Sequence, residues 1–154
     1  MRRRADRVAR RVTRYLRSSA SGRSYDRGMA VIASIIVALA ALLHGYIFLL
    51  ESVLWAKPAT WKRFGVADQA SADVTKPMAY NQGFYNLFLG LGAALGLILF
   101  WTGADSVGKA LVLFTTGCMV LAAAVLITTG RGYLKPALIQ GTLPLIGFVL
   151  FLFA

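Results

Sequence analysis

Acidic residues are scarce in this chain of 154: six Asp and Glu stand against seventeen Lys and Arg, a formal charge of +11. Histidine and cysteine occur once each, as His44 and Cys118. A single cysteine excludes an intrachain disulfide, and no His/Cys/Asp set has metal-ligand spacing, so neither a metal nor another cofactor is expected. Cys118 lies inside an apolar run and reads as a small core residue. Catalytic signatures are also missing. There is no Gly-x-Ser-x-Gly elbow, no phosphate-cradling glycine loop and no haem-attachment motif. The length suits one small domain, without room for a separate soluble catalytic domain.

Apolar residues are abundant instead, at 58%. They come in long blocks rather than in the dispersed pattern of a soluble domain. Four blocks are long enough to cross a hydrocarbon core as helices, at about 1.5 Å per residue. They run over about 29–50, 78–101, 110–129 and 137–154. The first is too long for a signal peptide and lacks a small-residue cleavage site at its end, so it reads as an uncleaved span. The expected fold is all-α: a four-helix transmembrane bundle over residues 29–154, behind an Arg-rich amphipathic extension over 1–28. Two short turns favour up-down connectivity. Residues 56–77 form the longest loop.

Ten of the seventeen cations are arginines within residues 1–27. Arg3, Arg7, Arg10, Arg14 and Arg17 share one helical face. Ala5, Val8, Val12, Tyr15 and Leu16 mark another, a pattern suited to a membrane surface. Anionic headgroups are therefore the expected partner, rather than nucleic acid. A disordered basic tail, or translation from Met29, are the alternatives for this segment. An even number of spans puts both termini on one side. Near the spans, that side carries eleven Lys and Arg against six opposite, which predicts cytoplasmic termini in a plasma-membrane protein. Without residues 1–28 the count reverses to one against six.

Polar residues inside or beside the spans are the candidates for chemistry. His44 and Glu51 are seven positions apart, two helical turns less about 20°, and so point the same way. Asn81 with Tyr85, and Gln82 with Asn86, are each one turn apart. Gln140 opens the fourth span. With an up-down topology these groups all fall in the half of the bilayer beside the long loop, while the other half is apolar. This one-sidedness predicts a polar pocket lined by His44, Glu51, Asn81, Gln82, Tyr85, Asn86 and Gln140. Trp55, Trp61 and Phe64 are placed to cover it. An ionisable group in hydrocarbon costs several kcal/mol unless paired or hydrated. Glu51 is thus interfacial, protonated or paired, and the polar set is either a site or interhelical glue. Gly92 and Gly96 form a GxxxG pair, a helix-contact signal.

At these residues the chain resembles a family of small bacterial and fungal integral membrane proteins, domain of unknown function 1304. The resemblance rests on His44, Glu51 and Trp55 in the first span and Phe64–Gly65 in the loop. It also rests on the string Asn81–Gln82–Gly83–Phe84–Tyr85–Asn86 and on Gln140–Gly141. It covers about residues 29–154 and implies the fold and the choice of residues, without naming a reaction. Members usually start close to the first span, so residues 1–28 are an addition.

Three functions fit. The leading one is binding or transport of a small molecule through the one-sided polar pocket, with a homo-oligomer enclosing any path. A second is a membrane enzyme using Glu51 and His44 in acid–base chemistry on a lipophilic substrate. The third is an accessory subunit of a larger membrane complex.

Overall fold

The computed structural model describes residues 27–154; the expected amphipathic extension and the expected headgroup contacts lie outside the described residues. Helix α1 spans Arg27–Val53, α2 Pro58–Trp61, α3 Gln69–Trp101, α4 Asp105–Thr128 and α5 Leu134–Leu152. Among the described residues, four of these (α1, α3, α4 and α5) are long and apolar enough to cross a membrane. No strand occurs among the described residues.

Helix α3 starts nine positions before the apolar run at Met78. Asp68 caps it by accepting the Ser71 N–H at 2.7 Å. A capped start lets a polar segment join an apolar one in a single helix of 33 residues, about 50 Å long. That exceeds a hydrocarbon core of about 30 Å, so the first turns of α3 stand clear of it. Pro77 sits inside α3 and leaves the Asp73 carbonyl without its helical donor. Asp73 is exposed, so water can satisfy that carbonyl.

The bundle is inverted relative to a soluble one. Its interior is built from Ala33, Val37, Ala40, Ala93, Val112 and Met119, while Leu42, Phe88, Phe114 and Leu121 face outward. Lipid tails are as apolar as leucine, so nothing drives large side chains inward. Close backbone approach over small residues holds the helices instead. A Cβ added at Gly92 would meet Thr115, and one at Gly96 would meet Val112 and the Gly108 carbonyl. The GxxxG pair is thus occupied by α4 of the same chain. Gly141 of α5 faces Ala123 of α4, and Gly147 faces Val37 of α1. Contacts of α1 with α3, α3 with α4, α4 with α5, and α5 with α1 close the ring.

At the end holding Arg27 and Ala154, Trp101 Nε1 donates to Ser34 Oγ at 3.0 Å and ties α3 to α1. Lys109 Nζ donates to the carbonyl oxygens of Ala154 at 2.7 Å and Leu152 at 3.3 Å. A cation there also suits the negative end of α5. Phe100 and Phe151 pack edge to face at 5.2 Å beside it. Cys118 is half-buried on α4.

Candidate functional site

Helix α1 changes character where it meets the long loop. Its last turn, Leu49–Val53, is π-helical, and the Leu54 N–H reaches back to the Leu49 carbonyl at 2.9 Å. A π-turn takes more residues per revolution, so consecutive side chains diverge less, and such turns are frequent at functional sites. Here it lets two neighbours address α3 together. Glu51 accepts from Asn86 Nδ2 at 2.9 Å, and Ser52 Oγ donates to the Tyr80 carbonyl at 2.8 Å.

Glu51 is 8% exposed and His44 is 1% exposed. Both lie on the seam between α1 and α3, opposite glycines that are themselves seven positions apart. A Cβ at Gly90 would lie 3.6 Å from His44 Cβ, and one at Gly83 would lie 3.1 Å from Glu51 Cβ. The antiparallel register therefore pairs His44 with Gly90 and Glu51 with Gly83. The missing side chains make room for the two polar ones.

His44 Nδ1 lies 2.9 Å from the Ala40 carbonyl oxygen. A carbonyl can only accept, so Nδ1 carries the proton, and in the neutral ring Nε2 is the acceptor. Asn86 is held in a similar way. Its Nδ2 also donates to the Gln82 carbonyl at 3.1 Å. Two acceptors facing one end of the amide assign that end as nitrogen, and both of its hydrogens are committed. The unshared Glu51 oxygen has no partner among the described residues. Seven residues of helical rise separate His44 from Glu51 by about 10 Å, and no hydrogen bond joins them among the described residues.

The long loop is a folded cover. Pro58 occupies the first position of α2, where its missing N–H is harmless. Lys62–Phe64 continue as a 3-10 turn, ended by Gly65 at φ 76°. The Val66 N–H bonds the Trp61 carbonyl at 3.2 Å and the Gly65 N–H bonds the Lys62 carbonyl at 3.1 Å. These two bonds form a Schellman motif, which requires the left-handed residue and explains Phe64–Gly65. Trp55 and Trp61 are buried with Ala72 and Ala79, and Phe64 and Val66 pack on them. Trp55 Nε1 donates to the Ala72 carbonyl at 2.9 Å. Trp61 Nε1 is buried without a partner among the described residues. Ala79 is one turn, about 6 Å, from Gly83 on the same face of α3. The two tryptophans therefore form the layer above Glu51.

The predicted lining divides. His44, Glu51 and Asn86 come together along the α1–α3 seam, and Trp55, Trp61 and Phe64 come together over it. Asn81, Gln82 and Tyr85 are exposed on the outer side of α3, and Gln140 is half-buried on α5 without a bond to α1 or α3 among the described residues. Ser52, Gly83, Gly90 and the π-turn complete the seam and were not singled out as site elements from sequence. The matching seven-residue spacings of Gly83–Gly90 and His44–Glu51 were the available signal. Among the described residues, no three of His, Cys, Asp and Glu group as a metal site.

Four apolar helices closed into a ring, with large side chains outward and one buried carboxylate on an interhelical seam, define a multi-pass integral membrane protein. Residues 38–152 match the family model described as Protein of unknown function (DUF1304). The match covers well over half of the chain, which therefore belongs to that family. Among curated proteins and among solved structures, none matches.

Proposed function

We propose that this protein binds a small cationic or hydrogen-bond-donating molecule at Glu51, in a site approached from the long loop. The observation that carries the reading is the buried carboxylate with a single neutral donor, Asn86, and no cationic partner among the described residues. A desolvated carboxylate held by one amide is electrostatically incomplete, and burial without a counter-charge is expensive. A ligand bringing positive charge, or a strong donor, completes it. The unpartnered indole N–H of Trp61, in the layer above, offers an acceptor-bearing ligand a second anchor. Nε2 of His44 provides a deeper acceptor on the same seam.

A cell-membrane location with cytoplasmic termini is supported by the eleven-to-six distribution of Lys and Arg, and the loop then faces outward. The arginine-rich extension is read as an anchor on anionic headgroups.

The test is equilibrium binding of a panel of small protonated amines and alkali cations to the full chain in nanodiscs. A ligand should protect the native protein from thermal unfolding, and Glu51→Gln should abolish that protection while leaving the unliganded protein folded. Uptake into proteoliposomes distinguishes transport from binding alone. If Glu51→Gln and wild type respond alike to every compound, the seam is structural and the reading fails.

A further inference from the structure

Arg63 stands apart from the other loop cations. Its Nη1 donates to the phenol oxygen of Tyr46 at 3.1 Å. Tyr46 belongs to the lipid-facing stripe of α1, with Leu42, Leu49 and Val53 at helical spacing on the same face. It lies seven residues before the end of α1, about 10 Å toward the membrane centre. The guanidinium is thus drawn down the outside of the bundle, from the loop onto a surface that lipid must cover. Tyr46 is its one side-chain partner among the described residues, and a phenol neutralises no charge. Among the described residues, the other four of the five guanidinium N–H donors have no side-chain acceptor and can serve a ligand. The neighbouring Lys62 ammonium is engaged elsewhere, 5.5 Å from the Trp61 ring centroid.

We propose that Arg63 and Tyr46 form a binding site for the phosphate of an anionic phospholipid on the loop side of the membrane. A planar guanidinium matches phosphate oxygens in a bidentate fork, which a lysine ammonium cannot do. The phenol orients that fork and can donate its own hydrogen to the same phosphate. The acyl chains then run from Tyr46 toward the membrane centre along Leu42, Leu39 and Ile35, which are exposed at helical spacing on the same face, so headgroup and tails are both accommodated by one face of α1. This site is separate from the Glu51 seam, which faces α3, and from the arginine-rich extension, which precedes α1.

The experiment measures the apparent affinity of the full chain in mild detergent for short-chain phosphatidylglycerol, read as a rise in melting temperature. Phosphatidylcholine and inorganic phosphate serve as comparisons. The N-terminal arginines are common to every variant, so differences between variants report on the loop side. Arg63→Gln should weaken the affinity about fivefold, and Tyr46→Phe about twofold to threefold, by loss of one charge and of its orienting bond. Arg63→Lys, which keeps the charge and loses the fork, should fall between wild type and Arg63→Gln. Lys57→Gln removes the same charge from the same loop and should change the affinity less than Arg63→Gln. Equal losses in Arg63→Gln and Lys57→Gln, with Tyr46→Phe silent, would show only diffuse attraction and overturn the proposal. Protection by inorganic phosphate equal to that by phosphatidylglycerol would overturn the lipid assignment. Should Arg63→Gln fail to fold, Tyr46→Phe and Arg63→Lys decide the matter.

Discussion

Asn86 of α3 holds the carboxylate of Glu51 on α1 at 2.9 Å, and spends its other amide hydrogen on its own helix at Gln82. The bond thus joins two spans through a side chain that cannot turn away without losing both acceptors. A double-mutant cycle on Glu51→Ala and Asn86→Ala should give a coupling of about 0.6–1.7 kcal/mol, the range for interhelical polar pairs in membranes. Reversible unfolding in mixed micelles measures it. Strictly additive variants would mean that the two groups do not interact.

Glycine substitutions should rank by what the new methyl group meets. At Gly108 it would strike the Phe100 backbone nitrogen and approach the Gly96 carbonyl to 2.6 Å, and backbone cannot step aside. Gly108→Ala should therefore destabilise by about 1–3 kcal/mol. At Gly83 the first obstacle is the Ser52 hydroxyl, a movable group, so Gly83→Ala should cost less and should break the bond from Ser52 to Tyr80. Gly45 has nothing within 4 Å, and Gly45→Ala should be neutral or stabilise by up to about 1 kcal/mol. The same unfolding assay orders the three.

The two loop tryptophans should respond differently to phenylalanine. Trp55→Phe deletes a donor to the Ala72 carbonyl and should cost about 0.5–1.5 kcal/mol beyond the lost ring area. Trp61→Phe deletes an N–H that has no partner among the described residues, so its stability cost should be the smaller. If the Glu51 site is used as proposed, Trp61→Phe should weaken ligand protection while leaving the melting temperature of the free protein close to wild type.

Asp68 gives the loop side a pH dependence. Accepting the Ser71 N–H at the start of α3 holds its carboxyl below the usual range. A depressed native value means that its contribution is fully present above the unfolded value, about pH 4, and disappears as pH falls through the lower native value. Asp68→Asn caps without titrating. Its melting temperature should therefore depend less on acidification below about pH 4 than that of wild type. Parallel profiles would show that the cap does not contribute.

Much of the site was legible because burial of a charge is costly enough to be seen in one dimension. Glu51 and His44 interrupt an apolar run at a helical spacing, and Asn86 stands one turn from Gln82. Asn81, Gln82 and Tyr85 have the same composition and depth, yet they face outward. Nothing in their spacing distinguishes the outer face of α3 from the inner one, because in a membrane bundle both faces are apolar. The glycines carried the missing information: Gly83 and Gly90 mark the face of α3 that α1 approaches.

The four spans, their all-helical character and the isolation of one carboxylate follow from composition and run length alone. Hydrocarbon demands internal backbone hydrogen bonding and penalises every charge, whatever the neighbours are. Which helix meets which, and through which residues, required the packed chain. The GxxxG pair serves α4 within the same molecule, the π-turn turns Glu51 and Ser52 together toward α3, and Arg63 descends to Tyr46 from the loop that follows α1. Each of these depends on which faces of separate elements meet, where the energy lies in fit and proximity rather than in residue type.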